Sequence, residues 1–174
     1  MPLKVLAPQL NDEEERDFVS QGFKSRLLLE IPGRMTNKKS NVVLVQGEVS
    51  ELDDADFVPF LRLVLALFES DDGFVARDSL KYGFGIDGEG ALMPQGVDQA
   101  LARMRKPFRG RIGNLSRLEF IEAQRGRIRL STHRHYIQVD EAVLLKHLDE
   151  RVQSLARRIS QAKIRSASGA PEAE

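Results

Sequence analysis

The chain has 174 residues, 26 Lys plus Arg balanced by 26 Asp plus Glu, and no cysteine. Disulfide scaffolds and thiolate metal sites are therefore excluded, and 41% hydrophobic residues is too high for wholesale disorder. No apolar run reaches membrane length and no leader-like pattern opens the chain, so the expectation is a soluble cytoplasmic protein, nucleoid-associated if it binds DNA.

In chain order, residues 1–25 form an acid-rich arm ("NDEEERD") that suits either a short helix or a mobile segment. "RLLLEI" (Arg26–Ile31) predicts a strand, "PGRMTNKKSN" a loop, and "VVLVQGEVSEL" (Val42–Leu52) two strands broken at Gln46-Gly47. Asp53 is placed to cap a helix running to about Glu69, with Phe57, Phe60, Leu61, Val64, Leu65 and Phe68 on its buried face. Pro59 introduces a local irregularity in its first turns. "SDDG" ends that helix, and Phe74 and Val75 lead into a second helix, roughly Ala76 to Tyr82.

The loop "GFGIDGEGALMPQG" contains Gly83, Gly85 and Gly88 at GxGxxG spacing. It follows a predicted helix rather than a strand, and Asp87 and Glu89 repel phosphate, so a dinucleotide site is rejected. A third helix, "VDQALARMRKPFR" (Val97–Arg109), places Val97, Leu101, Met104 and Phe108 on one stripe. Gln99, Ala102, Arg103, Lys106 and in part Arg105 point elsewhere, small residues at Ala100 and Ala102 permit close backbone approach, and Arg109 and Arg111 extend the positive strip. Arginine suits a polyanion twice over, because its guanidinium binds phosphate or forks onto guanine. The competing reading is an amphipathic helix with a solvated basic face.

"LEFIEAQRGRIRLSTH" (Leu118–His133) predicts a hairpin turning at Arg125-Gly126, with Arg125, Arg127 and Arg129 alternating onto one side. Asp140 then caps a long helix to about Ile164, and residues 165–174 form a polar, disordered tail. Along that helix Leu145, Leu148, Val152, Leu155, Ile159 and Ala162 repeat at 3 and 4 residues, a seam for a homodimer or for packing on the helix's own domain.

Charge is segregated along the chain. Glu48–Gly96 holds 11 acids against 3 bases, a net of −8, and Val97–Arg134 holds 10 bases against 3 acids, a net of +7. Local potential governs docking, so the second stretch suits nucleic acid; alternatively the two faces pair with each other. His133 and His135 fall on one side of a predicted strand with His147 further on, but no third converging ligand is fixed, so no metal or other cofactor is expected. Asp53-Asp54 and Asp71-Asp72 read as cap and turn residues, no nucleophile setting is present, and an enzyme is not expected.

The order of elements predicts an α+β fold: a winged helix-turn-helix with an N-terminal antiparallel sheet, a three-helix core, a hairpin wing and an added C-terminal helix. Four stretches resemble the DNA-binding effector domain of OmpR/PhoB-type response regulators. These are "QGEVSEL", "GFVARDSL" (Gly73–Leu80), "VDQALARMRKPF" and "FIEAQRGRIRL", together spanning roughly Leu27 to Thr132 within a domain drawn at 26–139.

The resemblance implies that Arg103 and Arg105 contact DNA from the recognition helix. It also implies that Gln95 contacts phosphate and that Arg125 and Arg129 serve the wing. Ala100 and Ala102 stand where the family often has larger polar residues, Arg127 where it has small ones, and the wing turn is one residue shorter. The loop before the recognition helix can touch RNA polymerase or a neighbouring subunit in that family, which singles out Phe84 and Leu92. About 25 residues before the first strand are too few for a receiver, so no phosphoacceptor domain is expected.

The reading that follows is a sequence-specific transcriptional regulator that binds double-stranded DNA as a homodimer. The alternatives are a protein-interaction adaptor and a sequence-indifferent architectural DNA binder on the same fold.

Overall fold

A computed structural model describes residues 9–23, 28–35, 40–76 and 121–168. Its centre is a single apolar helix. Asp53 caps it by accepting a hydrogen bond from the Asp56 amide (2.9 Å). This helix, α2 (Asp54–Glu69), continues through Pro59 and buries Phe57, Val58, Phe60, Leu61, Leu63, Val64, Leu65 and Leu67. A helix apolar on nearly every side has to be packed on nearly every side.

One flank carries a four-stranded sheet. Its strands are β1 (Leu29–Ile31), β2 (Asn41–Val45), β3 (Glu48–Leu52) and β7 (Ile137–Val139), in the order β3-β2-β1-β7. Leu29, Ile31, Val43, Val45, Leu52, Ile137 and Val139 face inward in the alternation a half-buried sheet requires. The turn joining β2 to β3 has Gln46 at φ 52° and Gly47 at φ 80°, a two-residue type I′ connection. The sheet is not purely antiparallel as expected: β7 runs parallel to β1, with Glu30 opposite Gln138. The short alternation "IQV" was hidden between a hairpin and a helix cap.

A second sheet joins β4 (Val75–Ala76), β5 (Ile121–Gln124) and β6 (Arg127–Leu130), with β6 in the middle. Val75 and Ala76 therefore form a strand, where the sequence suggested the second helix to begin. The N-terminal segment holds a helix, α1 (Asp12–Ser20), closed by a capping box between Asn11 and Glu14.

The expected long C-terminal helix is broken. Asp140 does cap a first turn, α3 (Glu141–Leu144), by accepting from the Val143 amide (3.2 Å). The chain then turns a corner and restarts as α4 (Glu150–Ser168), which extends beyond Ile164 into the predicted tail. The corner is held by His147, which is 5% exposed. Its Nδ1 accepts from the Asp149 amide (3.0 Å), which leaves the proton on Nε2 to donate to Asn41 Oδ1 (2.7 Å). Asn41 in turn donates to the Leu52 carbonyl (3.0 Å) and to Asp54 Oδ1 (2.9 Å). Asp149 then accepts from the Arg151 amide and opens α4. A buried polar relay of this length outweighs the propensity of five residues to continue a helix.

Candidate nucleic-acid interface

The hairpin β5–β6 turns at the predicted place. Arg125 (φ 49°) and Gly126 (φ 76°) form a type I′ turn, so the chain reverses with two residues and strict pairing of Ile121 with Leu130 and Gln124 with Arg127. A Cβ on Gly126 would meet no atom within 4 Å, so glycine is needed there for the backbone angle and not for space. Arg125 stands exposed at the tip.

The three hairpin arginines have different surroundings. Arg127 is 47% exposed, lies 3.5 Å from Asp72 Oδ2 and sits over the Phe74 ring (4.6 Å). Arg129 is only 3% exposed. Its Nε donates to Glu122 Oε2 (2.8 Å), its Nη1 donates to the Asp72 carbonyl (2.8 Å), and its guanidinium is sandwiched between Phe23 (4.1 Å) and Phe74 (4.4 Å). The expectation that Arg129 grips a polyanion is thereby corrected: its charge is spent inside the protein. The alternation that puts Arg127 and Arg129 on one side of β6 is real, but that side faces Phe74 and the Ser70–Gly73 turn.

That turn is built for the purpose. Ser70 ends α2, its hydroxyl donates to the Ala66 carbonyl (3.1 Å) and accepts from the Gly73 amide (3.1 Å), and Asp72 Oδ1 accepts from the Phe74 amide (3.1 Å). Gly73 (φ 70°) has no room for a side chain, since a Cβ would overlap Leu67 Cδ2. The "SDDG" stretch marked the end of a helix in the sequence; nothing local in it announced a cradle for arginines 55 and more residues away. Part of the acidic stretch thus neutralises part of the basic one, as Asp71 also lies 3.8 Å from Arg134.

Beside the hairpin, α1 docks on the segment that leaves β6. His133, 1% exposed, accepts the His135 amide at Nδ1 (3.2 Å) and so donates from Nε2 to Asp17 Oδ2 (3.1 Å). Burial is the main cause that pushes His133 down to about 4, against the pull of Asp17. His135 lies 2.7 Å from Glu14 and stacks on His133 (4.6 Å), and burial also lowers it. Both histidines belong to a 3-10 turn, Arg134–Tyr136, and its entry, not to the strand face expected for them. Among the described residues no group of three or more His, Cys, Asp or Glu side chains could hold a metal ion.

The other candidate DNA contacts, Gln95, Gln99, Ala100, Ala102, Arg103, Arg105, Lys106, Arg109 and Arg111, lie outside the described residues, as do Phe84 and Leu92. The proposed dimer seam divides. Val152, Leu155 and Ile159 are fully buried in the core shared with α2 and Ala162 is buried at 3% exposure, so they pack within their own chain; Leu145 (40%) and Leu148 (81%) are exposed at the corner. The seam as a continuous contact between two copies is corrected accordingly: the chain turns at 145–149, and the later residues already have a partner.

These elements define a mixed α+β protein whose hairpin is anchored by a third strand. No helix among the described residues is long and apolar enough to cross a membrane. No protein-family model, curated protein or solved structure matches the chain.

Proposed function

We propose that this protein is a sequence-specific, double-stranded-DNA-binding regulator of transcription, of the winged-helix kind that the OmpR/PhoB resemblance suggests. One observation carries the reading. β4 ends at Ala76, β5 begins at Ile121, and both pair with β6. The two ends of the intervening chain are thus two strand spacings and three residues apart, about 14 Å, Ala76 level with the turn end of β6 and Ile121 at the open end of the hairpin. That intervening chain contains Arg103, Arg105, Lys106, Arg109 and Arg111. The segment is tethered at both ends beside the hairpin, and in this reading its cations act on one polyanion together with the exposed Arg125. In this reading phosphate contacts set the register, while Arg103 and Arg105 select bases.

The test is a titration of the purified protein with selected genomic fragments and with random duplex at several salt concentrations. With Arg129 removed from the contacts, about 4–6 neutralised phosphates give a log–log salt slope of about −4 to −5. A regulator adds a preference of about a thousandfold or more for its site, and Arg103→Ala weakens that site by about 1–3 kcal/mol. Salt-steep binding without sequence preference assigns an architectural role instead. Absence of duplex binding at low salt overturns the proposal and leaves the adaptor.

A further inference from the structure

The sheet and α4 pack on α2 from different sides, and each turns a second face outward. On the sheet that face follows from register. Glu30 lies beside Gln138 on one side and Leu44 on the other, Leu44 beside Val49, and two residues along Val42 lies beside Glu51. Val49 is 47% exposed, and Val42 and Leu44 are half-buried. The outer surface is therefore an apolar strip, Val42–Leu44–Val49, between two carboxylates. An open groove of about 370 Å³ continues it past Glu30 along Gln138, Asp140 and Glu141. Among the described residues no cation pairs with Glu30, Glu48 or Glu51.

The outer face of α4 has the opposite character. From Arg151 to Ser168 the helix has no carboxylate and carries Arg151, Arg157, Arg158, Lys163 and Arg165. Arg151, Arg158 and Lys163 are engaged by Asp149, Glu69 and Glu141. Arg157, Gln161, Ile164 and Arg165 are exposed, opposite the stripe that packs on α2, with Ile164 at 66%. No carboxylate among the described residues pairs with Arg157.

Glu30 and Glu51 are two strands and two residues apart, about 12 Å on ideal sheet geometry, with the apolar strip between them. Arg157 and Ile164 are seven residues apart, two turns along one face of α4 and about 10 Å, so a cation and an apolar side chain can meet a carboxylate and the strip together.

We propose that the outer sheet face of one copy docks the outer face of α4 of a second copy, with Glu51 opposite Arg157 and Ile164 on the Val42–Leu44–Val49 strip. Such a contact joins two different faces, so it is head-to-tail: each copy keeps one unused face, and the pair keeps one of each kind. A few hundred Å² per copy is below the roughly 800 Å² of a standard stable interface, so the association is weak and salt-dependent. This inference does not rest on the DNA-binding reading.

Sedimentation of the full chain from about 10 to 500 µM, in 50 and 500 mM salt, tests it without DNA. The expected result is concentration-dependent association at low salt that weakens at least tenfold at high salt. Glu51→Lys, or Arg157→Glu, weakens it at least tenfold when tested alone, with circular dichroism checking that the fold persists. Mixing the two variants restores a 1:1 complex, since one keeps its helix face and the other its sheet face. A wild-type chain that stays monomeric, association indifferent to both substitutions, or variants that fail to complement when mixed would each overturn the proposal.

Discussion

Arg129 and Glu122 stand directly opposite each other on β6 and β5, and their side chains close at 2.8 Å between two phenylalanine rings. The pair links four pieces of chain: both strands of the β5–β6 hairpin, the turn after α2 through the Asp72 carbonyl, and the Phe23 segment after α1. A buried ion pair of this kind costs much to form and more to break. Arg129→Ala is expected to destabilise the protein by about 3–5 kcal/mol, seen as a lower urea midpoint. Arg129→Lys does not recover the loss, because an ammonium cannot lie flat between the rings while donating in two directions.

Arg125 provides the contrast. Its exposed position at the turn predicts that Arg125→Ala leaves the urea midpoint within about 0.5 kcal/mol of the parent. On the proposed function it lowers the steepness of the salt dependence of duplex binding by about 0.9. A normal salt slope in the folded variant removes the wing tip from the interface.

The histidines under α1 make stability depend on pH. His133 has an ordinary unfolded value near 6.5 and is held at about 4 in the fold. Above pH 6.5 both states leave it neutral and its packing contributes fully. As pH falls from 6.5 towards 4 the unfolded chain takes up a proton that the folded chain refuses, so stability is lost across that window, by about 2–3 kcal/mol in all. His135, lowered in the same direction, adds to the same trend. Urea titrations at pH 7.5 and 5 measure the loss, and His133→Gln flattens it.

The corner at His147 predicts a local effect. His147→Ala removes the acceptor for the Asp149 amide and the donor to Asn41, and takes away a ring stacked on Phe57. A cost of about 2–4 kcal/mol is expected. Hydrogen exchange at the Asp149 and Arg151 amides rises before exchange in the middle of α4 does.

Arg62 predicts the opposite sign. Its Nε and Nη1 are buried without a hydrogen-bond partner, its nearest carboxylate is Glu69 at 3.9 Å, and Glu69 is already bound by Arg158. Burial and the neighbouring Arg158 both lower its pKa. Arg62→Met keeps the stem and removes the unsatisfied group, so stability is unchanged or higher by about 1–2 kcal/mol, read from the melting temperature.

What was legible in the sequence is what is decided locally. Gln46-Gly47 and Arg125-Gly126 need only a short pair that tolerates positive φ between two alternating runs. Asp53 needs only an amide three residues on. The corner in the C-terminal helix was illegible because Asn41, over a hundred residues earlier, supplies the partner that makes it pay to stop. β7 was missed for the same kind of reason: three residues become a strand only because β1 offers an edge. At the candidate site, alternation placed Arg127 and Arg129 on one side of a strand but carried no information about which side holds Phe23, Phe74 and Asp72. Charge counting treated every arginine as available to a ligand, whereas Arg129 had been claimed by the fold.

The parallel pairing of β1 with β7 has a consequence for how the molecule is made. Ribosomes release Leu29–Ile31 more than a hundred residues before Ile137–Val139 emerge. Until then β1 has one neighbour and a bare edge, α2 lacks the cover of α4, and the apolar surface stays open to chaperones or to other nascent chains. Any premature stop before Val139 should therefore yield not a shortened folded protein but an insoluble fragment.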